Sequence, residues 1–423
     1  MFINDLVKIL KENTYGIRNE YFELQCLMFA DDIAFVAATE IDLQAMFNCL
    51  FEWCSKWRMR VNVDKTCIMH FRNPRQKLTS FTFKYGDENI KIVNKYKYLG
   101  LIYHENLNFN ATAEALADSG GRALGAMYCK YKRNSGFGYN VYTKLFNTGV
   151  VPILDYGSCI WGKGSHDKIN TVQNRAIRMF LAVHKFAPNL AINGDMGWVS
   201  SQTRRFINIM KYWNRLIKMH HSRLTKRVFL WDKSCNAPNW CFDVKEILES
   251  ISLTNIYVNV SYANITQIRN KLIHLYENGW REQVYLSPKL RTYSVFKTQF
   301  CTENYLNCIS NRGHRSIMAQ FRCGILPLSV ETGRFLYIPL EFRLCKFCNH
   351  DVLEDEIHFL LNCPFYADLR NNLILKAIDK EHNYYFLEPV DKLKLFMSRE
   401  LVKYTAKFLY ESFQRRRAAL YVS

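Results

Sequence analysis

The sequence is poor in acidic residues. Only 38 Asp and Glu stand against 57 Lys and Arg in 423 residues, which leaves a formal net charge of +19. A body this basic attracts polyanions. We therefore expect nucleic acid as the partner rather than a membrane, whose anionic surface is the weaker alternative.

Long apolar runs are also absent. No stretch approaches the ~20 uninterrupted apolar residues that a membrane-spanning helix needs. No signal-peptide-like apolar segment precedes Lys8 and Lys11 at the start. Internal repeats and long low-complexity tracts are missing as well. These absences argue against a secreted or membrane-spanning protein and predict an intracellular one, in the nucleus, the cytoplasm or both.

The composition indicates folded domains. Hydrophobic residues make up 49% of the chain and charged residues 22%, which excludes disorder for most of it. The length corresponds to two or three domains, because single cores stop growing near ~250–300 residues. With no signal peptide, the 14 cysteines favour free thiols and one metal site over a disulfide scaffold.

The segment ELQCLMFADDIAFVAA predicts a hairpin. Its apolar runs, Leu27–Ala30 and Ile33–Ala38, flank Asp31 and Asp32, which indicates two short buried strands joined by a tight acidic turn. A helix follows, with Thr39 as its N-cap and apolar residues at three- and four-residue steps.

Further antiparallel strands are expected after this helix. FTFKYGDENIKIV contains a turn at Gly86-Asp87, and KYKYLGLIY has the apolar and aromatic composition of one more strand. Hairpin, helix and strands together predict an α+β fold for the first hundred residues.

The Asp31-Asp32 pair has two interpretations. Adjacent carboxylates can hold hard divalent ions that serve phosphoryl transfer. Two carboxylates on a hairpin turn are, however, more often simply solvated. The pair alone does not decide between them.

Four motifs in register favour the first interpretation. They are FINDL at 2–6, FADD at 29–32, NVDKT at 62–66 and YKYLG at 96–100. Their order and spacing resemble the second half of the palm of a non-LTR (LINE-type) retrotransposon reverse transcriptase. The resemblance implies that Asp31 and Asp32 form the catalytic, Mg²⁺-binding turn and that Lys65 lies near the phosphates of the incoming nucleotide. It also implies a primer grip formed by Tyr96, Tyr98 and Gly100.

In that family, the fingers and the first half of the palm precede FINDL and carry another metal-binding aspartate. Two-metal catalysis needs carboxylates from separate strands, so that two ions can lie ~3.5–4 Å apart. The resemblance therefore predicts an N-terminally truncated polymerase that binds Mg²⁺ only if its site is completed and is inactive alone. Truncation also favours the alternative interpretation of Lys65, an ordinary solvated loop lysine. Two alternatives stay open, a host protein that reuses the scaffold for non-catalytic nucleic-acid binding and a longer, complete enzyme.

Residues 106–233 show mainly helical patterns. Parts of them resemble the thumb and post-thumb region of the same family, which holds the template–primer duplex. The matching residues are Tyr156-Gly157, Trp161-Gly162 and 173–178. Taken locally, Trp161 is expected to anchor a core rather than to stack on bases.

An acid-free stretch, Thr203–Arg227, predicts one amphipathic helix. Its apolar face includes Ile209, Met210 and Trp213. Its basic face is expected either to follow phosphates or to be simply solvated, and a membrane-surface helix fits less well. The basic positions are Arg204, Lys211, Arg215, Lys218 and Lys226. The segment Arg312–Arg322 is a second basic candidate.

The segment RLCKFCNHDVLEDEIHFLLNCPFY has metal-ligand spacing. Cys345 and Cys348 are two residues apart, and His358 and Cys363 follow. Three sulfurs and one imidazole suit Zn²⁺. His350 could compete with His358 but lies too close to Cys348 for easy chelation.

The resembled family carries such a CCHC zinc knuckle at its C-terminal end, where it helps to handle RNA and target DNA. Template–primer and target DNA are thus the implied partners. Beyond the knuckle the sequence predicts a final helix, with Arg415–Arg417 solvated or contacting phosphates.

The pattern breaks suggest five regions. They are a partial palm at 1–105, a helical thumb and post-thumb region at 106–233, a helical region at 234–335, the zinc knuckle at 336–371 and a helical tail at 372–423. The break at Ser234–Pro238 separates the second from the third.

Overall fold

The computed structural model describes residues 4–348 and 350–422. Phe2 and Ile3 of the FINDL motif lie outside this range. The chain forms two compact units that alternate along the sequence. Unit 1 comprises residues through 115, 157–164 and 205–265, and unit 2 comprises 116–156, 165–204 and the residues from 266 onward.

The strands of the described residues all lie in unit 1. They are β1 (Ile17–Arg18), β2 (Glu23–Leu24), β3 (Cys26–Phe29), β4 (Asp32–Phe35), β5 (Cys67–Ile68), β6 (Lys84–Tyr85), β7 (Glu88–Asn89), β8 (Lys91–Ile92), β9 (Lys95–Tyr98) and β10 (Leu101–His104). They pair two by two: β1–β2, β3–β4, β6–β7 and β9–β10 are antiparallel, and β5–β8 is parallel.

Helices make up most of the remainder. They are α1 (Asn4–Asn13), α2 (Glu40–Trp57), α3 (Asn110–Arg133), α4 (Tyr139–Gly149), α5 (Val151–Leu154), α6 (Ser158–Trp161), α7 (Asp167–Leu181), α8 (Asn189–Met196), α9 (Ser201–Lys218), α10 (Leu224–Ser234), α11 (Trp240–Ser250), α12 (Thr254–Val258), α13 (Ile265–Leu286), α14 (Arg291–Phe296), α15 (Tyr305–Cys308), α16 (Arg312–Arg322), α17 (Ser329–Phe335), α18 (Ala367–Lys380), α19 (Pro389–Phe396) and α20 (Val402–Val422). None of the described helices is both long and apolar enough to cross a membrane.

The predicted mixture of helices and strands is confirmed, and so are the hairpin around Asp31-Asp32, the turn at Gly86-Asp87 and the helical character of 106–230. The prediction that the β3 and β4 strands are buried is wrong. Leu27 and Phe29 on β3 are 41% and 63% exposed, because side chains alternate between the two faces of a strand and Cys26 and Met28 take the face that packs on the α2 cluster.

Two further strand predictions are corrected. KYKYLGLIY is two strands rather than one, because Leu99 and Gly100 both adopt positive φ values and reverse the chain between β9 and β10. Positive φ at both central positions is what a tight type I′ hairpin turn requires. The pairing of β5 with β8 is parallel, not antiparallel, since the segments between them carry the chain back to the starting end.

Helix α2 organises one core of unit 1. Its predicted N-cap is confirmed, since the Oγ1 of Thr39 accepts a hydrogen bond from the backbone N–H of Asp42 at 3.1 Å. Its apolar stripe packs against α1, and each such fully buried side chain contributes about 1.5–3 kcal/mol. The buried members of this cluster are Leu6, Leu10, Met46, Leu50, Trp53 and Cys54.

Unit 2 contains a buried ion cluster centred on Arg322 of α16. Its side chain and that of Asp195 on α8 are 1% and 0% exposed, and two guanidinium N–H groups donate to the Asp195 carboxylate at 2.8 Å each. Glu303 pairs with the same guanidinium at 3.0 Å. The hydroxyls of Tyr293 and Tyr305 donate to Asp195 at 3.1 and 3.0 Å. The cluster joins α8, α14, α15 and α16.

We predict that Arg322→Met lowers the free energy of unfolding by about 3–5 kcal/mol, because it leaves the buried carboxylate of Asp195 without its counter-charge. Denaturant unfolding measures the loss. The control is Lys394→Met, which breaks an ion pair that is about half exposed on both sides and should change stability by less than about 0.5 kcal/mol. Adding Asp195→Asn to Arg322→Met should recover part of the loss, because it removes the unpaired charge. An equal loss of stability in Arg322→Met and in the control Lys394→Met would contradict the prediction.

Candidate functional site

The Asp31-Asp32 pair lies at the tip of the β3–β4 hairpin. Phe29 pairs directly with Asp32, so Ala30 and Asp31 form a two-residue turn. Ala30 has a φ of 54°, a left-handed conformation that costs a non-glycine residue about 1–2 kcal/mol. Asp31 and Asp32 are both exposed. The turn therefore presents two carboxylates to solvent from a strained backbone.

The YKYLG hairpin lies beside this turn. Burial raises the pKa of the Tyr98 phenol, and the negative charge of Asp32 raises it further. The pKa of Tyr96 is also raised by burial, then by Cys67 and Asp32. The charge of Asp32 therefore acts on both tyrosines of the YKYLG hairpin.

Lys65 belongs to the same neighbourhood. Its backbone carbonyl accepts a hydrogen bond from the hydroxyl of Tyr96 at 3.3 Å. Its own N–H donates to the side-chain oxygen of Asn62 at 3.1 Å, which fixes the NVDKT turn. The Lys65 side chain is exposed. The three motifs predicted from spacing thus meet in unit 1.

A third metal ligand does not join Asp31 and Asp32 among the described residues. Within 4–348 and 350–422, the one group of three or more side chains able to hold a metal lies elsewhere, in unit 2. Two adjacent carboxylates on one turn can hold a divalent ion loosely, but two-metal catalysis requires more ligands.

That group is the predicted Cys345, Cys348, His358 and Cys363, whose ligand atoms all lie within 4.8 Å of one another. The Sγ atoms of Cys345 and Cys363 are 3.8 Å apart, and Cys348 Sγ is 3.5 Å from His358 Nε2. A tetrahedron with metal–sulfur bonds of ~2.3 Å places its sulfurs about 3.8 Å apart. The four side chains therefore fit a tetrahedral metal ion.

Backbone hydrogen bonds set up this geometry. The Cys345 N–H donates to the carbonyl of Val352 at 2.9 Å, which places the CxxC pair on a small hairpin. The His358–Asn362 segment is a π-turn, in which Cys363 N–H donates to the His358 carbonyl at 2.8 Å. This five-residue step accounts for the His-x4-Cys spacing. His350 is exposed and outside the cluster.

Contacts within the cluster shift the pKa values of its side chains. Cys345 and Cys363 share a hydrogen bond, which raises the pKa of Cys345 and lowers that of Cys363. Burial lowers the pKa of His358 and so favours its neutral form, the one that binds metals.

Buried charges support the cluster from outside. The carboxylate of Glu354, 1% exposed, accepts hydrogen bonds from Arg416 and from the N–H and hydroxyl of Ser329 at 2.7 and 2.8 Å. Cys345 Sγ is 3.8 Å from the same carboxylate. Arg370 donates to the Cys363 carbonyl at 2.8 Å. Outer contacts of this kind orient metal ligands.

The prediction for Arg415–Arg417 is corrected by these contacts. Arg416 is 5% exposed and paired with Glu354, while Arg415 pairs with Asp368 at 2.5 and 2.6 Å. Arg417 alone is exposed. The sequence could not show this, because the carboxylate partner of Arg416 lies 62 residues away.

The acid-free basic helix is shorter than predicted. It ends at Lys218, and Lys226 lies beyond the break on α10. The Lys226 side chain is 4% exposed, and its ammonium donates to the carbonyls of Leu216 and Ile217 at 2.9 and 3.2 Å. Lys226 therefore caps the end of α9 and does not face solvent.

The prediction that Arg204 belongs to the solvent-facing row of cations is also wrong. Its guanidinium donates to Asp155 at 3.1 Å and to Gln173. Lys211, Arg215 and Lys218 remain exposed along α9.

Sequence reasoning missed the adjacent Arg205. It is fully buried and donates to the carbonyls of Gly162 and Gly164 at 3.1 and 2.8 Å. Trp161, predicted to be a core residue, is 3% exposed and confirmed as one. A buried arginine on an apolar helix face leaves no signal in a periodicity pattern.

The second basic candidate, Arg312–Arg322, is mostly structural. Arg315 is 4% exposed and donates to the hydroxyl of Tyr131 at 2.7 Å. Arg322 is enclosed by the ion cluster around Asp195. Of the three arginines in this helix, Arg312 alone is exposed.

Comparison with known proteins concerns the same first part of the chain. Residues 1–103 match the family model for reverse transcriptase (RNA-dependent DNA polymerase). The first hundred residues are thus similar to reverse transcriptases.

A particular relative is the "Probable RNA-directed DNA polymerase from transposon BS" of Drosophila melanogaster, with 23% identity over 209 residues. The match covers 47% of this chain and 23% of that relative, so the chain spans less than a quarter of its length.

We predict that the chain binds one metal ion through the Cys345 cluster. Elemental analysis should find one ion per chain, and Cys345→Ser with Cys348→Ser should abolish it, because two of four ligands are lost. Removal by a chelator should increase hydrogen exchange across 340–370, where the core is small. The control, Cys129→Ser with Cys301→Ser, alters two exposed cysteines outside the cluster and should keep the ion. Full metal content in the first double variant would contradict the prediction.

Proposed function

We propose that this polypeptide is a LINE-type, reverse-transcriptase-derived protein that binds nucleic acid, holds one structural Zn²⁺ and does not copy a template by itself. The observation that carries the proposal is the match of residues 1–103 to reverse transcriptases. Within that segment the hydroxyl of Tyr96 donates to the Lys65 carbonyl, and the charge of Asp32 raises the pKa of Tyr96 and of Tyr98. Template–primer and target DNA are its proposed partners.

The proposed role of Asp31 and Asp32 is to offer part of a Mg²⁺ site. When bound there, Mg²⁺ would neutralise charge on the phosphates of a nucleotide. In the described residues no third carboxylate reaches the turn, so the pair by itself offers only part of the ligand set. Lys65 is proposed to contact nucleotide phosphates, and Tyr96, Tyr98 and Gly100 are proposed to form the surface under a primer end.

Zn²⁺ is the ion we propose for the Cys345 cluster. Three thiolates and one imidazole are the soft donors that select Zn²⁺ over Mg²⁺ or Ca²⁺. All four positions are filled by protein side chains, which is typical of a structural rather than a catalytic site. The ion would fix the small hairpin and the π-turn against each other.

Nucleic-acid binding is proposed to rest largely on phosphate contacts. The net charge of +19 and the exposed row of Lys211, Arg215 and Lys218 supply cations that displace counterions from a phosphate backbone. Such contacts are independent of base sequence.

We predict that the purified chain gives no template-dependent incorporation of deoxynucleotides with Mg²⁺ or Mn²⁺, because no third carboxylate reaches the acidic turn within residues 4–348 and 350–422. Primer extension on an RNA template measures this. Incorporation that disappears in Asp31→Asn with Asp32→Asn, and persists in the control Asp87→Asn with Asp118→Asn, would refute the prediction. The control removes two exposed carboxylates elsewhere.

We also predict that replacing Lys211, Arg215 and Lys218 by Gln weakens binding to all sequences alike. Three lost phosphate contacts lower the slope of log K against log salt by about 2–3 on duplex DNA, since each contact contributes about 0.9. Titrations at several salt concentrations measure the slope.

The control for this prediction replaces Lys376, Lys394 and Lys407 by Gln. These lysines are exposed on α18, α19 and α20, and their replacement changes the net charge by the same amount. Two results would count against a phosphate-binding row on α9. One is a salt slope of the α9 variant equal to that of the parent, and the other is an equal decrease of the slope in the control variant.

A further inference from the structure

Unit 2 contains an open cleft of about 660 Å³, to which Arg312 of the second basic candidate contributes. It lies where α7 ends and α16 begins. Its lining includes four cationic side chains, Arg175, Arg178, Lys185 and Arg312, and none of its described lining residues is a carboxylate. The cleft therefore concentrates positive charge.

The helices that line the cleft place these cations near one another. Arg175 and Arg178 stand three residues apart on α7 and so share one face of the helix. Lys185 follows the end of that helix. Arg312 opens α16 and donates to the hydroxyl of Tyr128 at 3.0 Å, which holds its guanidinium at the cleft. Arg175, Lys185 and Arg312 are exposed and accessible to a ligand.

No carboxylate neutralises the four cations of the cleft: none of them forms an ion pair in the described parts of the chain. Glu331 is near enough to act on His184 of the lining. Its carboxylate, however, is paired with Lys289 at 2.7 Å. An anion entering the cleft would find its cations unoccupied by carboxylates.

Arg178 differs from the other three cations because its guanidinium is partly buried. Its Nη2 donates to the carbonyl of Ala187 at 2.9 Å and to Asn189 at 2.6 Å, while its Nε is buried and has no hydrogen-bond partner among the described residues. Burial lowers the pKa of this guanidinium. A partly desolvated charge with neutral partners only is stabilised by a bound anion.

The lining also contains the apolar side chains of Met179 and Val183, which are half-buried. We call these two the floor of the cleft and its four cations the rim. A duplex offers only phosphates to such a site, because its base faces are stacked inside. An unpaired nucleotide offers both a phosphate for the rim and a base face for the floor.

We infer that this cleft binds unpaired nucleotides of a single-stranded nucleic acid, with phosphates on Arg175, Lys185 and Arg312 and a base against Met179 and Val183. The inference rests on the proposed nucleic-acid binding and deepens it. It assigns the cleft a preference for single strands that the row on α9 does not have.

The test uses the full chain and the variant Arg175→Gln with Lys185→Gln, which spares the internally bonded Arg178. Its matched control is Lys376→Gln with Lys394→Gln, two exposed lysines on other helices. On oligodeoxythymidine of about 20 nucleotides, two lost contacts should lower the salt slope by about 1.4, at about 0.7 for each. On a duplex of equal length the slope should stay unchanged.

A second measurement needs no variant and is therefore independent of folding defects. Acylation of lysines followed by mass spectrometry should show Lys185 protected by oligodeoxythymidine and Lys376 unprotected. A strand of the same length made of abasic sites should protect Lys185 at least several-fold less at equal concentration, because the floor then has no base to contact.

Four results would overturn the inference. Two concern the salt slope: an equal decrease on the duplex, and an equal decrease in the control variant. Two concern Lys185: equal protection by the abasic strand, and displacement of oligodeoxythymidine from the cleft by free deoxythymidine triphosphate at the same phosphate concentration. If the parent binds strands while Lys185 stays reactive and Lys211 is protected, the cleft is wrong and the proposed function stands. If the parent binds no nucleic acid at all, the proposed function fails with it.

Discussion

The pairing of Arg322 with Asp195 is the interaction on which unit 2 depends. Both side chains are removed from water, which is costly for two ions unless their remaining hydrogen-bonding groups are also satisfied. Glu303 and the hydroxyls of Tyr293 and Tyr305 satisfy them. Helices α8, α14, α15 and α16 thus share one buried ion pair and the hydrogen bonds that satisfy it.

A similar constraint governs the Cys345 cluster. Glu354 lies nine residues beyond Cys345 and is enclosed by Ser329 and Arg416. Helix α20 therefore contributes a counter-charge next to the candidate metal ligands, so the cluster depends on more than its own hairpin and π-turn. Ligand geometry and helix packing stabilise each other there, since loss of Arg416 would leave Glu354 charged and buried.

These buried ion pairs change the meaning of the net charge. The excess of Lys and Arg predicts a polyanion partner, but several of the arginines serve the interior, among them Arg205, Arg315 and Arg322. The cations left for a ligand are fewer and lie in particular places, such as the exposed row on α9 and the cleft beside Arg312. Charge composition indicates a class of partner, whereas burial determines where that partner can be bound.

Local sequence determined what depends on neighbouring residues: the N-cap at Thr39, the hairpin around Asp31, the helical middle of the chain and the four metal ligands, whose spacing is matched by a hairpin and a π-turn. The tertiary structure alone decided which charges face water. Lys226 and Arg416 have ordinary solvated-face patterns in the sequence, but one caps a helix and the other meets a carboxylate 62 residues away. Periodicity describes one element at a time, and desolvation depends on everything packed around it.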